Sequence, residues 1–137
     1  MNKFFGIALV VIALAVAVVP AFTDCQSQGK ALTTSTGKEI PMKCHWTGIA
    51  EIGVAVPMLG IGVMSVASRR KETLRNMGIL GVIVGAFVIA LPTSLIGVCQ
   101  TPTMLCHTVM KPALISLGSL AVAGSIGMML ISRKASE

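Results

Sequence analysis

Apolar residues in this chain come in four long runs separated by short polar stretches. The runs are Phe4–Phe22, with no charge; Thr47–Ala67, with Glu51 near its start; Met77–Val98, uncharged but carrying Pro92; and Pro112–Ile131, uncharged and rich in Gly, Ala and Ser. Each is roughly 19–22 residues, or about 28–33 Å as helix, which matches a hydrocarbon core of about 30 Å. A barrel would instead show short alternating segments. The pattern predicts an all-α membrane protein, a four-transmembrane-helix bundle occupying residues 1–137 as a single membrane domain.

The polar stretches between the runs are patterned too. After the first run comes Cys25-Gln26-Ser27 and then Met42-Lys43-Cys44-His45; after the third comes Cys99-Gln100-Thr101 and then Met104-Leu105-Cys106-His107. Another run follows each set promptly, near Thr47 and Thr108. The chain therefore reads as one helical hairpin written twice, residues 1–68 and 77–137, joined by a basic connection at 69–76. Both halves begin on the same side, so the repeat is parallel, about an axis along the membrane normal. Small residues offer close-packing faces: Gly81 and Gly85 on the third run, Ala123 and Gly127 on the fourth, and Gly53, Gly60 and Gly62 on the second. Pro57 and Pro92 predict kinks.

Charge adds a direction. Lys3, Arg69, Arg70, Lys71, Arg75, Arg133 and Lys134 fall on one side of a four-span chain, and Lys30, Lys38, Lys43 and Lys111 on the other. The denser side is expected in the cytoplasm, which puts both termini there. Hydrophobic residues make up 54% of the chain and charged ones 12%, with mean hydropathy +0.86. Soluble domains carry about 25% charged residues, so a nucleic-acid-binding domain, a disordered tail and an ordinary soluble enzyme are excluded. The net charge of +6 reads as a topology and anionic-lipid signal, with the bilayer as partner and no nucleic acid. The first run also has a signal-peptide reading, with Val19-Pro20-Ala21 as cleavage site, but it exceeds the usual apolar length of about 7–15 residues. It is taken as a retained span.

All four cysteines fall on the sparsely charged, external side. An even count in an oxidising compartment predicts disulfides, and the repeat favours Cys25–Cys44 and Cys99–Cys106, each closing the mouth of its own hairpin. Two sharper readings compete. Met42, Cys44, His45, Met104, Cys106 and His107 are soft ligands suited to copper(I) or zinc. The two cysteine pairs also have the layout of a membrane thiol–disulfide oxidoreductase, although no Cys-x-x-Cys is present. The remaining candidate is Glu51, about two turns into the second span. It is expected to form an intramembrane ion pair with Lys111 or to reach headgroup water.

With Met42-Lys43-Cys44-His45-Trp46-Thr47 and Pro92-Thr93-Ser94-Leu95-Ile96-Gly97-Val98-Cys99 in view, the chain resembles the bacterial four-span family described as domain of unknown function 4418. The resemblance implies a bacterial inner-membrane protein and suggests a neighbourhood with ABC-transporter permeases. It supplies no catalytic residues. With so little chain outside the membrane, the expectation is a non-enzymatic accessory subunit of a larger membrane complex, one that needs no cofactor.

Overall fold

The computed structural model describes residues 2–29 and 31–134, so Lys30, counted above on the external side, lies outside it. Four helices, α1 (Asn2–Thr23), α2 (Lys43–Ala67), α3 (Lys71–Ala90) and α4 (Lys111–Lys134), form an up-down-up-down bundle. α1 packs chiefly on α2 and α3 chiefly on α4, and the two hairpins meet through α1–α4 and α2–α3. A small antiparallel pair, β1 (Leu32–Thr33) with β2 (Glu39–Ile40), folds the α1–α2 connection back on itself.

α1, α2 and α4 are longer than their apolar runs, whereas α3 starts before its run and ends short of it. α2 starts at Lys43, which brings Cys44 into its first turn, and α3 starts at Lys71, so most of the basic connection is helical and the break is only Ser68–Arg70. α3 ends where Pro92 falls. Proline removes a helical donor, and the chain continues as a single π-helical turn, Leu91–Leu95. Gly97, with φ +78°, closes that turn: the N–H groups of Ile96 and Gly97 both donate to the Leu91 carbonyl, at 3.1 and 3.0 Å. A second π-helical turn, Cys106–Met110, leads into α4.

One stripe of each helix faces inward at helical spacing. Leu9, Ala13 and Val16 serve α1; Thr47, Glu51, Ala55 and Met58 serve α2; Leu74, Gly78, Gly81, Gly85 and Val88 serve α3; Leu114, Gly118, Ala121, Ser125 and Met128 serve α4. The opposite faces leave Phe4, Ile7, Val11, Leu14, Val56, Ile83, Phe87, Leu120 and Leu130 exposed. Outward apolar surface on four helices long enough to span a bilayer identifies lipid as their surroundings.

Glycine sets the closest helix approach. A Cβ on Gly62 would sit 3.0 Å from the Val10 nitrogen and 3.2 Å from the Gly6 carbonyl, and one on Gly85 would sit 3.3 Å from the Gly118 carbonyl. Of the small residues expected to pack, Gly81 and Gly85 lie against α4 and Gly127 against the Phe5 ring of α1. Ala123 does not pack. It is exposed, because it lies about 200° around the helix from the buried Ala121. Gly53 and Gly60 likewise face open space.

Candidate metal centre

The four cysteines reach one place from four different elements. Cys25 follows the C-terminus of α1, Cys44 is in the first turn of α2, Cys99 follows the π-helical turn after α3, and Cys106 opens the turn before α4. Their sulfurs all lie within 4.8 Å of one another. Cys44 Sγ is 2.8 Å from Cys99 Sγ and 2.9 Å from Cys106 Sγ, and Cys25 Sγ is 3.3 Å from Cys106 Sγ. The Cys99 N–H also donates to Cys44 Sγ at 3.2 Å. Cys25, Cys44 and Cys106 are buried and Cys99 is half-buried.

No disulfide joins them in this structure, and the expected pairs Cys25–Cys44 and Cys99–Cys106 are not among the three short approaches. A disulfide would need a sulfur–sulfur distance of about 2.05 Å. The three short approaches run between sulfurs of the two hairpins, because docking the hairpins points the start of α2 at the loop after α3 and the end of α1 at the start of α4. The mouths of the hairpins thus meet at a shared sulfur cluster.

Local structure explains why these side chains converge. The Asp24 carboxylate accepts the Ser27 N–H at 2.7 Å and the Ser27 hydroxyl donates to the Asp24 carbonyl at 2.8 Å, which turns the chain immediately around Cys25. His45 Nδ1 lies 3.1 Å from Asp24 Oδ2, tying that turn to α2. Burial pushes the Asp24 carboxyl up, but the bonds from His45 and Ser27 outweigh it and hold the group below its ordinary value. Thr47 reaches across from α2 and donates to the Gly97 carbonyl at 2.7 Å, anchoring the strand of chain that carries Cys99.

The sulfur environment is soft and mostly dry. Met104 Sδ is 4.0 Å from Cys25 Sγ, and Met42 Sδ is 4.0 Å from Cys99 Sγ. Burial, reinforced by the Cys106 thiol, pushes the Cys25 thiol up to about 12. Burial acts in the same direction on Cys99, yet hydrogen bonding from the Cys44 thiol outweighs it and draws that thiol below its ordinary value.

Of the candidate ligands, Cys44 and Cys106 are therefore in the cluster and Met42 and Met104 flank it. His45 and His107 are outside the described metal-competent group. Each histidine is one residue beyond a cluster cysteine, hence about 100° around the helix from it, and His45 is engaged by Asp24. Trp46, exposed and edge-on to His45 with ring centroids 6.1 Å apart, sits where an interfacial anchor would.

The expected Glu51–Lys111 pair is not formed. Glu51 is fully buried and neither of its carboxylate oxygens has a hydrogen-bond partner among the described residues. Lys111 sits beside the inward positions Met110 and Leu114 and off their face, so matching depth did not bring matching direction.

The chain matches the family described as Domain of unknown function (DUF4418) over residues 5–131, and it belongs to that family. No curated protein and no solved structure matches it significantly.

Proposed function

We propose that the protein binds a soft metal ion at the membrane surface through Cys25, Cys44, Cys99 and Cys106. The observation that carries this reading is the convergence of four sulfurs from two hairpins within 4.8 Å. Four thiolates suit tetrahedral zinc, whose bonds of about 2.3 Å imply sulfur–sulfur edges of about 3.8 Å. The spread seen here brackets that value. The thioethers of Met42 and Met104 extend the soft donor set toward copper(I). A centre of this kind would join the hairpins at their mouths, so metal and fold would stabilise one another.

We place the cysteine end outside the cytoplasm and both termini inside, from the distribution of Lys and Arg, in a bacterial inner membrane. The mouth is then where the protein acts, alone or as a small subunit of a larger membrane complex such as an ABC-type transporter. The test is elemental analysis of the full-length protein, purified from its native membrane without chelator, alongside a serine variant of all four cysteines. About one zinc or copper per chain, absent from the variant, is the expected result. A metal-free wild type that also fails to take up either ion would refute it.

One observation favours thiol–disulfide exchange as a second reading. Cys44 Sγ is within 2.9 Å of two different partners, and the half-buried Cys99 gives the set an accessible member. Joining Cys44 to Cys99 would release two protons and pass two electrons to an external acceptor such as a quinone. Rapid formation of a Cys44–Cys99 bridge with a soluble quinone, in metal-free protein, would promote this reading over the first.

A further inference from the structure

The sulfurs at the mouth of the bundle follow one another in a row that alternates between the hairpins. Met42 Sδ lies 4.0 Å from Cys99 Sγ, Cys99 Sγ 2.8 Å from Cys44 Sγ, and Cys44 Sγ 2.9 Å from Cys106 Sγ. Cys106 Sγ then lies 3.3 Å from Cys25 Sγ, and Cys25 Sγ 4.0 Å from Met104 Sδ. Each thioether therefore sits at an end of the row, against a thiol of the opposite hairpin, and the middle is thiol only.

The donors change in kind along this row. A thioether is neutral and has no proton to lose, so it can take a soft ion before any thiol has ionised. A thiol must lose its proton first, and the thiolate then holds the ion by charge as well. Neutral ends and a chargeable middle suit an ion that arrives and leaves, because no single step has to break every bond of the bound state. Sulfurs 4.0 Å apart can share one ion through bonds of about 2.3 Å, so each thioether is spaced to hand an ion to its thiol.

The two ends are not equivalent. Met42 and Met104 are both half-buried, but the thiols behind them differ. Cys25, beside Met104, is only 2% exposed, and its turn is closed by the Asp24–Ser27 hydrogen bonds and by His45 on Asp24. Cys99, beside Met42, is the half-buried member of the cluster and is followed by the exposed Gln100 and Thr101. Met42 itself stands at the N-cap of α2, in extended backbone. Its unbranched side chain has three rotatable bonds and can swing without moving the helix. The row opens to solution at the Met42 end.

Building on the metal site proposed above, we propose that its ion is copper(I) in transit, and that Met42 is the exchange ligand through which the ion enters and leaves. Copper(I) arrives on an external carrier that holds it by a few soft donors. The Met42 sulfur bonds to the ion as one carrier donor leaves. Cys99 then gives its proton to water and bonds next, and the remaining carrier donors depart as the inner thiols lose their protons to water and close on the ion. Copper stays in the +1 state throughout and no electron moves. Unloading runs the same steps backwards.

The experiment mixes reduced, metal-free, full-length protein in nanodiscs with copper(I) bicinchoninate in an anaerobic stopped-flow cell. Loss of the chelate colour reads loading, its return on adding excess chelator reads unloading, and the end point reads affinity. Met42→Leu, close in volume, is expected to slow both directions by about tenfold, for one weak bond missing from the transition state. Met104→Leu removes the same kind of donor from the closed end. It is expected to change affinity as much as Met42→Leu does and to slow exchange far less. Met42→Gln, similar in length and without sulfur, serves should the leucine variant fold poorly. Wild-type protein that takes up no copper(I) would refute copper(I) binding at the cluster and this proposal with it. Protein that binds copper(I) while the Met42 variants exchange at the wild-type rate, or while Met104→Leu slows exchange equally, overturns the proposal alone.

Discussion

Cys44 makes the two shortest sulfur approaches in the cluster, to Cys99 and Cys106, and replacing it with serine is the sharpest perturbation of the proposed centre. The change removes one of four soft donors and leaves a hydroxyl of similar size in a buried site. Structural zinc contributes about 10–16 kcal/mol in small four-ligand domains. One quarter of that is about 2.5–4 kcal/mol, or roughly 10²–10³-fold in affinity. Competition titration of the reduced protein against a chromophoric chelator reads that loss directly. Cys25→Ser, Cys99→Ser and Cys106→Ser should each fall in the same range, because the four sulfurs serve one ion. Combining Cys44→Ser with Cys99→Ser should lose less than the sum, since the first change has already opened the site. The reasoning fails if Cys25→Ser and Cys44→Ser behave alike while Cys99→Ser and Cys106→Ser leave binding untouched. That pattern would mean each hairpin mouth works by itself.

Other consequences follow from the same geometry. Binding should strengthen as pH rises through the neutral range, because thiols must lose protons to ligate; pH-stat titration should record proton release on loading. For the metal-free reduced protein the sign is opposite. The Cys25 thiol moves from its ordinary 9.0 up to about 12 on folding, so its contribution is complete below about pH 9 and is lost as pH climbs toward 12. Thr47→Val should leave the Gly97 carbonyl without its cross-helix donor and cost about 1–3 kcal/mol in denaturation of the metal-free protein. It should also weaken metal binding by loosening the chain before Cys99. Gly62→Ala sets a Cβ 3.0 Å from the Val10 nitrogen and 3.2 Å from the Gly6 carbonyl. Backbone cannot swing aside, so α1 and α2 must part, at about 1–3 kcal/mol. Gly53→Ala, which meets open space, is the matched neutral control.

The number and approximate position of the helices were legible because lipid-spanning runs need only length and low charge, both visible along the chain. Their ends were less so. Lys43 and Lys71 are polar, and nothing in a hydropathy pattern says that a helix continues through them. The candidate site was legible in its members and not in its assembly. Two Cys pairs in matched positions suggest bridges within each hairpin, and only the docking of hairpins brings Cys44 to Cys99 and Cys25 to Cys106. Direction around a helix was the other missing quantity. Glu51 and Lys111 match in depth and Ala123 has the right size, yet each prediction fixed a height without an azimuth. The signal that would have found the inward face of α2 is the spacing of Cys44, Thr47, Glu51, Ala55 and Met58, a continuous stripe at three and four residues.

The central claim is that one soft ion is held by four sulfurs drawn from both hairpins. X-ray absorption at the metal edge of the protein, isolated from its native membrane without chelator, tests it most directly. An all-sulfur first shell, with metal–sulfur distances of about 2.3 Å if the ion is zinc, is the predicted result. A shell containing imidazole nitrogen, or protein that carries no metal and has its cysteines bridged Cys25–Cys44 and Cys99–Cys106, would contradict it.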